Sequence, residues 1–473
     1  MRYKKHLVTL LIVATLFTCL ACNKGKQEEP TVDSNNKVNY VYDTTITQLS
    51  ESYNVAYSEN GYYFTVNGIL HFYDVANDVS LPVCSKLECS HNSSSCDAYA
   101  CDDKKYDVYD LTGIVIDCLG NTVWYHDDKL YMMKRDEAGD YLMQYDSDYT
   151  NEVKLCTLAD NGAVVGAVGS KVEYKAKMYN GYIYYYASRP VHVDTMFEKD
   201  YMLTITCNRI KMEKNAVPEE LGSFDFAMDY AIFSSEKSAT IVVSDDSVYF
   251  VACGTKRYMS DKNPVQFRLC RYSCEEEQFT TILTKNTDNT MDILGAGSDN
   301  ILHGISGRVC IDDENNIYIP TQFNDVISIT KITPSGEIKK IYTSNAAKDI
   351  QSLTWDGTYI YFAEELSTGA NLVRLNKDGT ERSNYFIAIN EEFCEAHGMK
   401  ISQSLLSGSI NILGIDNTNI IVSTKNDYLK GLECEATISD QFLNVDITAV
   451  GIIPKEAFND KTISVTKIYE YKK

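Results

Sequence analysis

The residues best suited to do chemistry lie close together in the segment 82–101, which reads PVCSKLECSHNSSSCDAYAC. Within it, Cys84, Cys89, His91 and Cys96 form the pattern C-x4-C-x-H-x4-C. Three thiols and one imidazole can supply the complete tetrahedral ligand shell of a structural Zn²⁺ ion. Because a shell of four protein ligands leaves no open position for water, we do not expect a catalytic metal here.

The same cysteines allow two other interpretations. One or two disulfide bonds, for example between Cys84 and Cys96 with Cys101 left over, would pin the loop in an oxidising compartment. Thiols without any link are the third alternative. The spacing is not that of a common zinc finger or zinc ribbon, so the sequence leaves structural zinc and disulfide bonds open.

Outside this segment, the sequence offers no motif that identifies an active site. It contains neither the G-x-S-x-G motif of a nucleophile elbow nor a phosphate-binding G-x-x-x-x-G-K loop. The acid pairs Asp245–Asp246 and Asp312–Asp313 fall in predicted turns, where Asp side chains bind nearby backbone amides. His71 and His126 are predicted to be surface or satisfied residues. We therefore predict no catalytic residue, and no cofactor other than a structural zinc ion if the cysteines do not form disulfide bonds.

The N-terminus predicts export and lipid attachment. Three positive residues precede the apolar run 7–17, and a short segment then leads to Cys22. A charged start followed by a short apolar run is typical of a secretory signal peptide, and the run is too short to span a bilayer. We predict that residues 1–21 are a signal peptide and that acyl chains such as palmitate on Cys22 anchor the protein at the extracytoplasmic face of the cell membrane. An ordinary signal peptide followed by an unmodified cysteine is the alternative.

Composition separates a tether from a folded domain. Residues 22–48 begin polar and contain few apolar residues, which predicts a flexible tether, and residues 49–473 are predicted to fold. The net charge of −22 is scattered along the chain. Nucleic-acid binding requires clustered Lys and Arg, so no nucleic-acid partner is expected. Cys207 and Cys253 lie in strand patterns and are predicted to be buried core residues.

The predicted domain repeats one strand pattern. Turns of Gly, Asn or Asp lead into alternating, Tyr-rich strands, as in GYYFTVNGILHFYD from Gly61 and LTWDGTYIYFAEE from Leu353. The turn residues supply the positive φ that tight hairpins need, and the alternation places one set of side chains on each sheet face. Lys377–Gly379 and Pro334–Gly336 are predicted hairpin loops.

Seven such units predict an all-β chain folded as a β-propeller, in which each small sheet packs on two neighbours. Eight blades and a pair of β-sandwiches are the alternatives. Strands predicted at Asp446–Ile452 and Ile463–Tyr471 would complete the first blade and so join the chain ends. Helix is predicted for Glu391–Leu406 and, as a single turn, for Pro454–Phe458.

The Cys/His segment that follows the GYYF…LHFYD hairpin, together with the signal and the repeat, resembles propeller lipoproteins of anaerobic Gram-positive bacteria. These proteins are described as TolB-like or low-density-lipoprotein-receptor-like β-propellers. The resemblance covers most of the chain, and the Cys/His segment is its specific part. It carries no settled activity, so it implies the fold and the membrane location only.

These observations predict a non-enzymatic, membrane-anchored lipoprotein that binds a glycan, a peptide or an envelope protein at the cell surface. The alternative is an extracellular propeller-type enzyme, either a polysaccharide lyase or a glycoside hydrolase. The 35 tyrosines suit recognition, but their high β propensity makes sheet packing the simpler explanation. The candidate recognition loop is Arg189–Tyr201, which interrupts the third repeat.

Overall fold

The described part of the chain is built almost entirely from β-strands. The computed structural model describes residues 46–48, 51–53, 55–66, 68–91, 95–100, 123–135, 139–160, 173–190, 201–228, 239–244, 247–255, 265–287, 309–323, 326–398, 410–424, 428–435 and 447–471. The predicted signal peptide, Cys22, Cys101 and residues 191–200 of the candidate recognition loop lie outside these residues. No helix within them is long and apolar enough to cross a membrane.

Seven four-stranded antiparallel sheets follow one another along the chain. Each sheet uses four consecutive strands, and each strand pairs with its neighbours in sequence. Tight hairpins explain this order, because alternating strands joined by short turns pair most readily with the strand that follows. The prediction of a β-propeller with seven blades is therefore confirmed.

The strand bounds define the blades. A two-stranded sheet, β1 (Ile46–Gln48) and β2 (Glu51–Tyr53), precedes them. The first blade consists of β3 (Val55–Ser58), β4 (Gly61–Val66), β5 (Ile69–Asp74) and β6 (Val79–Pro82). The second blade consists of β7 (Val123–His126), β8 (Lys129–Arg135), β9 (Gly139–Asp146) and β10 (Val153–Asp160). The third blade consists of β11 (Glu173–Tyr179), β12 (Tyr182–Pro190), β13 (Tyr201–Lys211) and β14 (Glu219–Met228). The fourth blade consists of β15 (Ala239–Ser244), β16 (Ser247–Thr255), β17 (Val265–Ser273) and β18 (Gln278–Thr287). The fifth blade consists of β19 (Cys310–Ile311), β20 (Ile317–Phe323), β21 (Val326–Ile332) and β22 (Ile338–Ser344). The sixth consists of β23 (Asp349–Trp355), β24 (Ile360–Leu366), β25 (Gly369–Leu375) and β26 (Arg382–Ala388). The seventh consists of β27 (Ile410–Ile415), β28 (Asn419–Thr424), β29 (Ala449–Pro454) and β30 (Thr466–Glu470).

The two predicted hairpin loops are confirmed as turns. Gly336 and Gly379 have φ of 85° and 83°, in the left-handed region that glycine adopts without cost. At Gly379 an added Cβ would lie 2.1 Å from the carbonyl oxygen of Ile341 in the preceding blade. Glycine is therefore needed there both for the turn and for the close approach of two blades.

The hydrophobic core lies between blades. Each pair of successive blades shares one cluster of buried side chains. A further cluster joins the first blade to the last and includes Phe64 and Val55 together with Ile421 and Val450. Because burial occurs between sheets, each blade depends on both neighbours, and the ring is closed. Two separate sandwiches would not bury their apolar faces in this way.

The predicted exchange of strands between the chain ends is wrong. β29 pairs with β28, and β30 pairs with β29, so both complete the seventh blade. The first blade already has its four strands, β3 to β6. Among the described residues, neither chain end contributes a strand to the other's blade, and the ring is joined by side-chain packing and hydrogen bonds across the seam.

Tyrosine hydroxyls join neighbouring blades. The contacts are Tyr63 to the Ser147 carbonyl at 3.0 Å, Tyr184 with Cys274 Sγ at 3.4 Å, Tyr249 to Asn315, Tyr318 to the Lys377 carbonyl at 3.2 Å, Tyr385 to the Ile463 carbonyl at 2.8 Å, and Tyr62 to Asp416 at 2.6 Å. Between the second and third blades, a backbone group makes the equivalent contact: the amide of Asn215 donates a hydrogen bond to the Leu155 carbonyl at 2.9 Å. These tyrosines are structural, as the simpler explanation predicted.

The predicted helix is shorter in the structure. Helix α1 spans Glu391–Ala396, begins at the N-cap Asn390, and is followed by Gly398 with φ of 68°. A left-handed glycine just beyond the last turn ends a helix, so the predicted helix Glu391–Leu406 is interrupted after Ala396, and residues 399–406 lie outside the described part of the chain. The single turn is confirmed as a 3₁₀-helix at Lys455–Phe458.

Connections between strands divide between two faces of the ring, because the strands of each blade alternate in direction. The turns within the first and second hairpins of each blade lie on one face, the turn face. The connections between these hairpins, and those between blades, lie on the other. The four longest connections, 83–122, 288–309, 389–409 and 425–448, all leave and re-enter the described strands at this second face, which we call the long-connection face.

Candidate metal centre

The Cys/His segment leaves and re-enters the first blade at a single residue of β5. The backbone amide of Val83 donates to the Leu70 carbonyl at 2.9 Å, and the Leu70 amide donates to the Ala98 carbonyl at 2.8 Å. In an unbroken antiparallel ladder, one partner residue would make both bonds. Residues 84–97, the Cys/His loop, are thus an excursion from the edge of the blade.

The Cys/His loop brings its four predicted ligands together. One side-chain ligand atom each from Cys84, Cys89, His91 and Cys96 lies within 4.8 Å of the other three. The Nδ1 atom of His91 is 3.4 Å from Cys96 Sγ. The thiols of all three cysteines are free, so no disulfide bond links any pair of them in this structure.

Local backbone geometry turns the histidine toward the thiols. His91 has φ of 51°, a left-handed conformation that is uncommon outside glycine, although histidine adopts it more often than most residues. Lys86 braces the loop, donating to the Ser95 carbonyl at 2.7 Å and pairing with Asp97 at 2.6 Å. Because this ion pair is solvent-exposed, water screens it and it adds little to stability.

The electrostatic environment differs between two of the thiols. Burial alone would raise the pKa of Cys84, but hydrogen bonds from the backbone amides of Lys86 and Asp97 and from neighbouring thiols outweigh it, and the pKa is lowered. Burial raises the pKa of Cys96 to about 12. Amides that point at a sulfur stabilise its thiolate, the form in which cysteine binds metal.

The chain that returns from the loop is part of the core. Cys96, Ala98 and Ile69 form a small buried cluster against which Cys84 and Cys89 pack. Two residues further on, Ala100 is fully buried in the cluster between the first and second blades. The loop is therefore attached at its exit to packing that holds two blades together.

His71 is a neighbour of the centre that the sequence did not reveal. It is 8% exposed, lies between the rings of Phe64 and Tyr469, and its Nδ1 has no hydrogen-bond partner among the described residues. Burial, and secondarily the nearby His91, lower its pKa to about 4. The prediction of a surface or satisfied histidine is wrong, because the alternation of β5 cannot reveal that Tyr469 from the last blade covers this position.

The remaining predicted residues have structural positions. Asp312 accepts hydrogen bonds from the amide of Asn316 at 2.9 Å and from the hydroxyl of Tyr318 at 2.6 Å, which confirms it as a turn residue. His126 is half-buried, and its Nε2 lies 3.5 Å from Asp127 Oδ2. Cys207 on β13 is fully buried, as predicted. Asp245–Asp246 lie outside the described residues, and Cys253 is described only as part of β16.

A second buried carboxylate lies between the fifth and sixth blades. Glu364 is 2% exposed, accepts a short hydrogen bond from Tyr342 and one of 2.7 Å from Asn371, and lies 3.7 Å from Arg382. Nothing in its sequence context marks it. Its partners satisfy the charge and join two blades, which assigns it a structural role.

Comparisons with known proteins find no related sequence but several distant structural similarities. No protein-family model matches the sequence, and no curated protein matches it. The chain is similar to acylaminoacyl peptidase from Pyrococcus horikoshii (11% identity, 91% of this chain and 54% of that one, TM-score 0.41), so it spans about half the length of that peptidase. It is also similar to the β-propeller domain of the Trilobed protease from Pyrococcus furiosus (14%, 73% and 97%, 0.32) and to an α-L-arabinofuranosidase from Clostridium thermocellum (13%, 63% and 94%, 0.30). These likenesses concern the fold alone.

Proposed function

We propose that the protein is a non-enzymatic binding propeller, tethered to the extracytoplasmic face of the cell membrane, whose partner binds on the long-connection face. The observation that carries the proposal is that the four longest connections all begin and end at the same face of a closed seven-bladed ring. Loops positioned by a rigid scaffold are where binding residues concentrate. The partner classes are a glycan, a peptide or an envelope protein.

Two of the long connections form a fixed platform on that face. The backbone amide of Asn390 donates to the Tyr428 carbonyl at 2.7 Å, and its Nδ2 donates to Glu433 Oε1 at 2.7 Å. The amide of Lys430 donates to the Ala388 carbonyl at 3.0 Å. These bonds tie the start of α1 to the connection of the next blade, so the surface they present is pre-organised, which lowers the entropic cost of binding.

The platform is acidic. Glu391, Glu392 and Glu395 of α1 are exposed, and Glu435 on the neighbouring connection is exposed as well. The whole chain carries a net charge of −22. A surface of one sign attracts partners of the opposite sign, so the structure favours a partner that presents cationic groups over a polyanion.

A charge-reversal variant tests the position of the binding face. The full chain and a variant with Glu391, Glu392 and Glu395 replaced by Lys are applied to glycan and peptide arrays. We expect the probes that bind the unaltered protein to bind the variant at least about 10-fold more weakly, because rim charges steer association.

The matched control reverses the same number of charges on the turn face, at the exposed Glu276, Glu337 and Glu381. We expect this control to keep its binding. If it loses as much binding as the α1 variant, or if the α1 variant binds normally, the assignment of the face is wrong. Release of cleaved glycan from the array would contradict the non-enzymatic part of the proposal and support the lyase or hydrolase alternative.

Support for the membrane tether comes from sequence. The apolar run 7–17 followed by Cys22 fits a lipoprotein signal, and the polar composition of residues 22–48 suits a spacer between membrane and ring. The resemblance to propeller lipoproteins of anaerobic Gram-positive bacteria is in keeping with this location. Two or more acyl chains on Cys22 would anchor the protein firmly, whereas one chain binds a membrane only marginally.

A further inference from the structure

We propose that Cys84, Cys89, His91 and Cys96 bind one Zn²⁺ ion, and that this ion fastens the Cys/His loop to the first blade. The inference is independent of the proposed binding function, because it rests on the four ligand atoms and on the packing of residues 96–100. The ion has a structural role: four protein ligands complete a tetrahedral shell and leave no position for a substrate or a reactive water.

The ligand set selects the metal. Three sulfur ligands and one imidazole nitrogen suit Zn²⁺, whereas Mg²⁺ and Ca²⁺ require oxygen ligands. Bonds of about 2.3 Å to sulfur place the ligands of a tetrahedral ion about 3.8 Å apart. The four atoms already lie within 4.8 Å of one another, so small inward movements of side chains complete the site.

The surroundings of the site are those of a metal centre. Backbone amides of Lys86 and Asp97 point at Cys84 Sγ, and such contacts orient a thiolate ligand and hold part of its charge. The shell of three thiolates and one Zn²⁺ has a net negative charge. Lys86, held in place by Asp97 and the Ser95 carbonyl, supplies a positive charge on the same loop.

A disulfide bond would engage only two of the four ligand groups. It joins two sulfurs and leaves the third thiol, together with the imidazole of His91, without a function. The left-handed backbone at His91, with φ of 51°, orients a side chain that a disulfide does not need. A zinc ion uses all four groups and thereby accounts for the unusual backbone conformation.

Binding of the ion also stabilises the part of the first blade to which the loop is attached. Backbone bonds to Leu70 hold both ends of the loop, and Ala98 and Ala100 beyond it are fully buried. Closing the loop through Cys84 near its entry and Cys96 near its exit reduces the freedom of the unfolded segment, and metal binding energy becomes folding energy. The ion therefore stabilises the edge of the first blade and its contact with the second.

Cobalt substitution tests the site directly. The full chain, purified under reducing conditions and stripped of metal, is titrated with Co²⁺ and then with Zn²⁺. We expect one equivalent of Co²⁺ to give the visible spectrum of a tetrahedral thiolate site, and one equivalent of Zn²⁺ to abolish it. A spectrum without thiolate charge-transfer bands would overturn the proposal.

Variants separate ligation from folding. His91→Ala should weaken Zn²⁺ binding by at least about 100-fold, since loss of outer-shell partners alone costs 10–100-fold. His91→Cys, which keeps four ligands, should retain the metal. Cys156→Ser changes a buried thiol on β10 far along the chain from the loop and should leave binding unchanged. Equal binding by all three variants would contradict the assignment of the ligands.

Hydrogen exchange tests the role of the ion. Removal of zinc with a chelator should speed exchange of the Leu70 and Ala100 amides, which bond to Ala98 and Gly68, and should not affect Phe362 in the sixth blade. Unchanged exchange at Leu70 and Ala100 would show that the ion does not fasten the loop. Thiols that resist alkylation until reduced, in protein that takes up no Co²⁺, would establish the disulfide instead and overturn the proposal.

Discussion

The hydroxyl of Tyr62 in the first blade donates a 2.6 Å hydrogen bond to Asp416 Oδ2 in the last blade. Asn419 of the last blade also donates to the Tyr62 oxygen, at 3.1 Å. These bonds lie at the seam where the two ends of the propeller meet. No strand of the described residues crosses this seam, so side chains such as Tyr62 supply hydrogen bonds there that a shared strand would otherwise make.

Loss of this bond should weaken the ring. Tyr62→Phe keeps the packing of the ring but leaves the Oδ2 atom of Asp416 without its donor. We expect the free energy of unfolding to fall by about 1.5–3 kcal/mol, the range for hydrogen bonds to charged groups, as measured by urea unfolding. Tyr272→Phe is the matched control, because the buried Tyr272 hydroxyl has no hydrogen-bond partner in the described part of the chain. Equal losses in the two variants would show that the seam bond contributes nothing of its own.

The carboxylate between the fifth and sixth blades should be more costly to remove. Glu364→Ala leaves the buried donors of Tyr342 and Asn371 without their shared acceptor, and we expect the free energy of unfolding to fall by about 2–4 kcal/mol. The neighbouring Glu365→Ala, which removes a half-buried carboxylate, should cost less than about 1 kcal/mol. The free energy of unfolding of both variants is measured in urea. A loss below about 1 kcal/mol for Glu364→Ala would contradict the structural role of Glu364.

The buried His71 predicts a pH dependence of stability. Its pKa is about 4 in the folded protein and 6.5 in the unfolded chain. The unfolded chain therefore binds a proton between these values that the folded protein does not, and stability falls as the pH drops from 6.5 toward 4. His71→Phe removes this term. We expect the stability of the variant relative to the unaltered protein to rise by about 2 kcal/mol between pH 7.5 and pH 5. A constant difference across this range would mean that His71 is not buried in its neutral form.

The sequence predicted the fold because its strand signals are local. Turn residues such as Gly336 and Gly379 and the alternation around Tyr361 act over a few positions, so seven repeats could be recognised before any contact between blades was known. The seam could not be predicted in this way. Whether β29 and β30 join the first or the last blade depends on pairing across the whole chain, which local patterns do not specify.

For the candidate metal centre, too, some features could be predicted from the sequence and others could not. Its four ligands lie within thirteen residues of sequence, so residue type and spacing were enough to find them. His71 and Glu364 were missed because their burial depends on Tyr469 and Tyr342, which come from other blades. Nor does residue spacing reveal that the loop begins and ends at Leu70, a consequence of the edge of β5 being free to pair beyond the end of β6.

Lipid attachment predicts a specific change of location. Cys22→Ser should release the protein from the membrane fraction into the medium and abolish incorporation of a labelled fatty acid, because the thiol is the attachment point. Cys19→Ser, three residues earlier in the same signal, should leave both unchanged. Fractionation and metabolic labelling in a Gram-positive host provide the measurement. Retention of the Cys22→Ser protein on the membrane would contradict lipid anchoring.

Native mass spectrometry of the full chain, purified without added metal, shows directly whether the Cys/His loop holds zinc. We expect one species, heavier than the metal-free chain by one zinc ion less the thiol protons that it displaces, which returns to the metal-free mass on acidification. A species lighter than the reduced chain by two hydrogens, with no metal, would instead show a disulfide bond and rule out the zinc site.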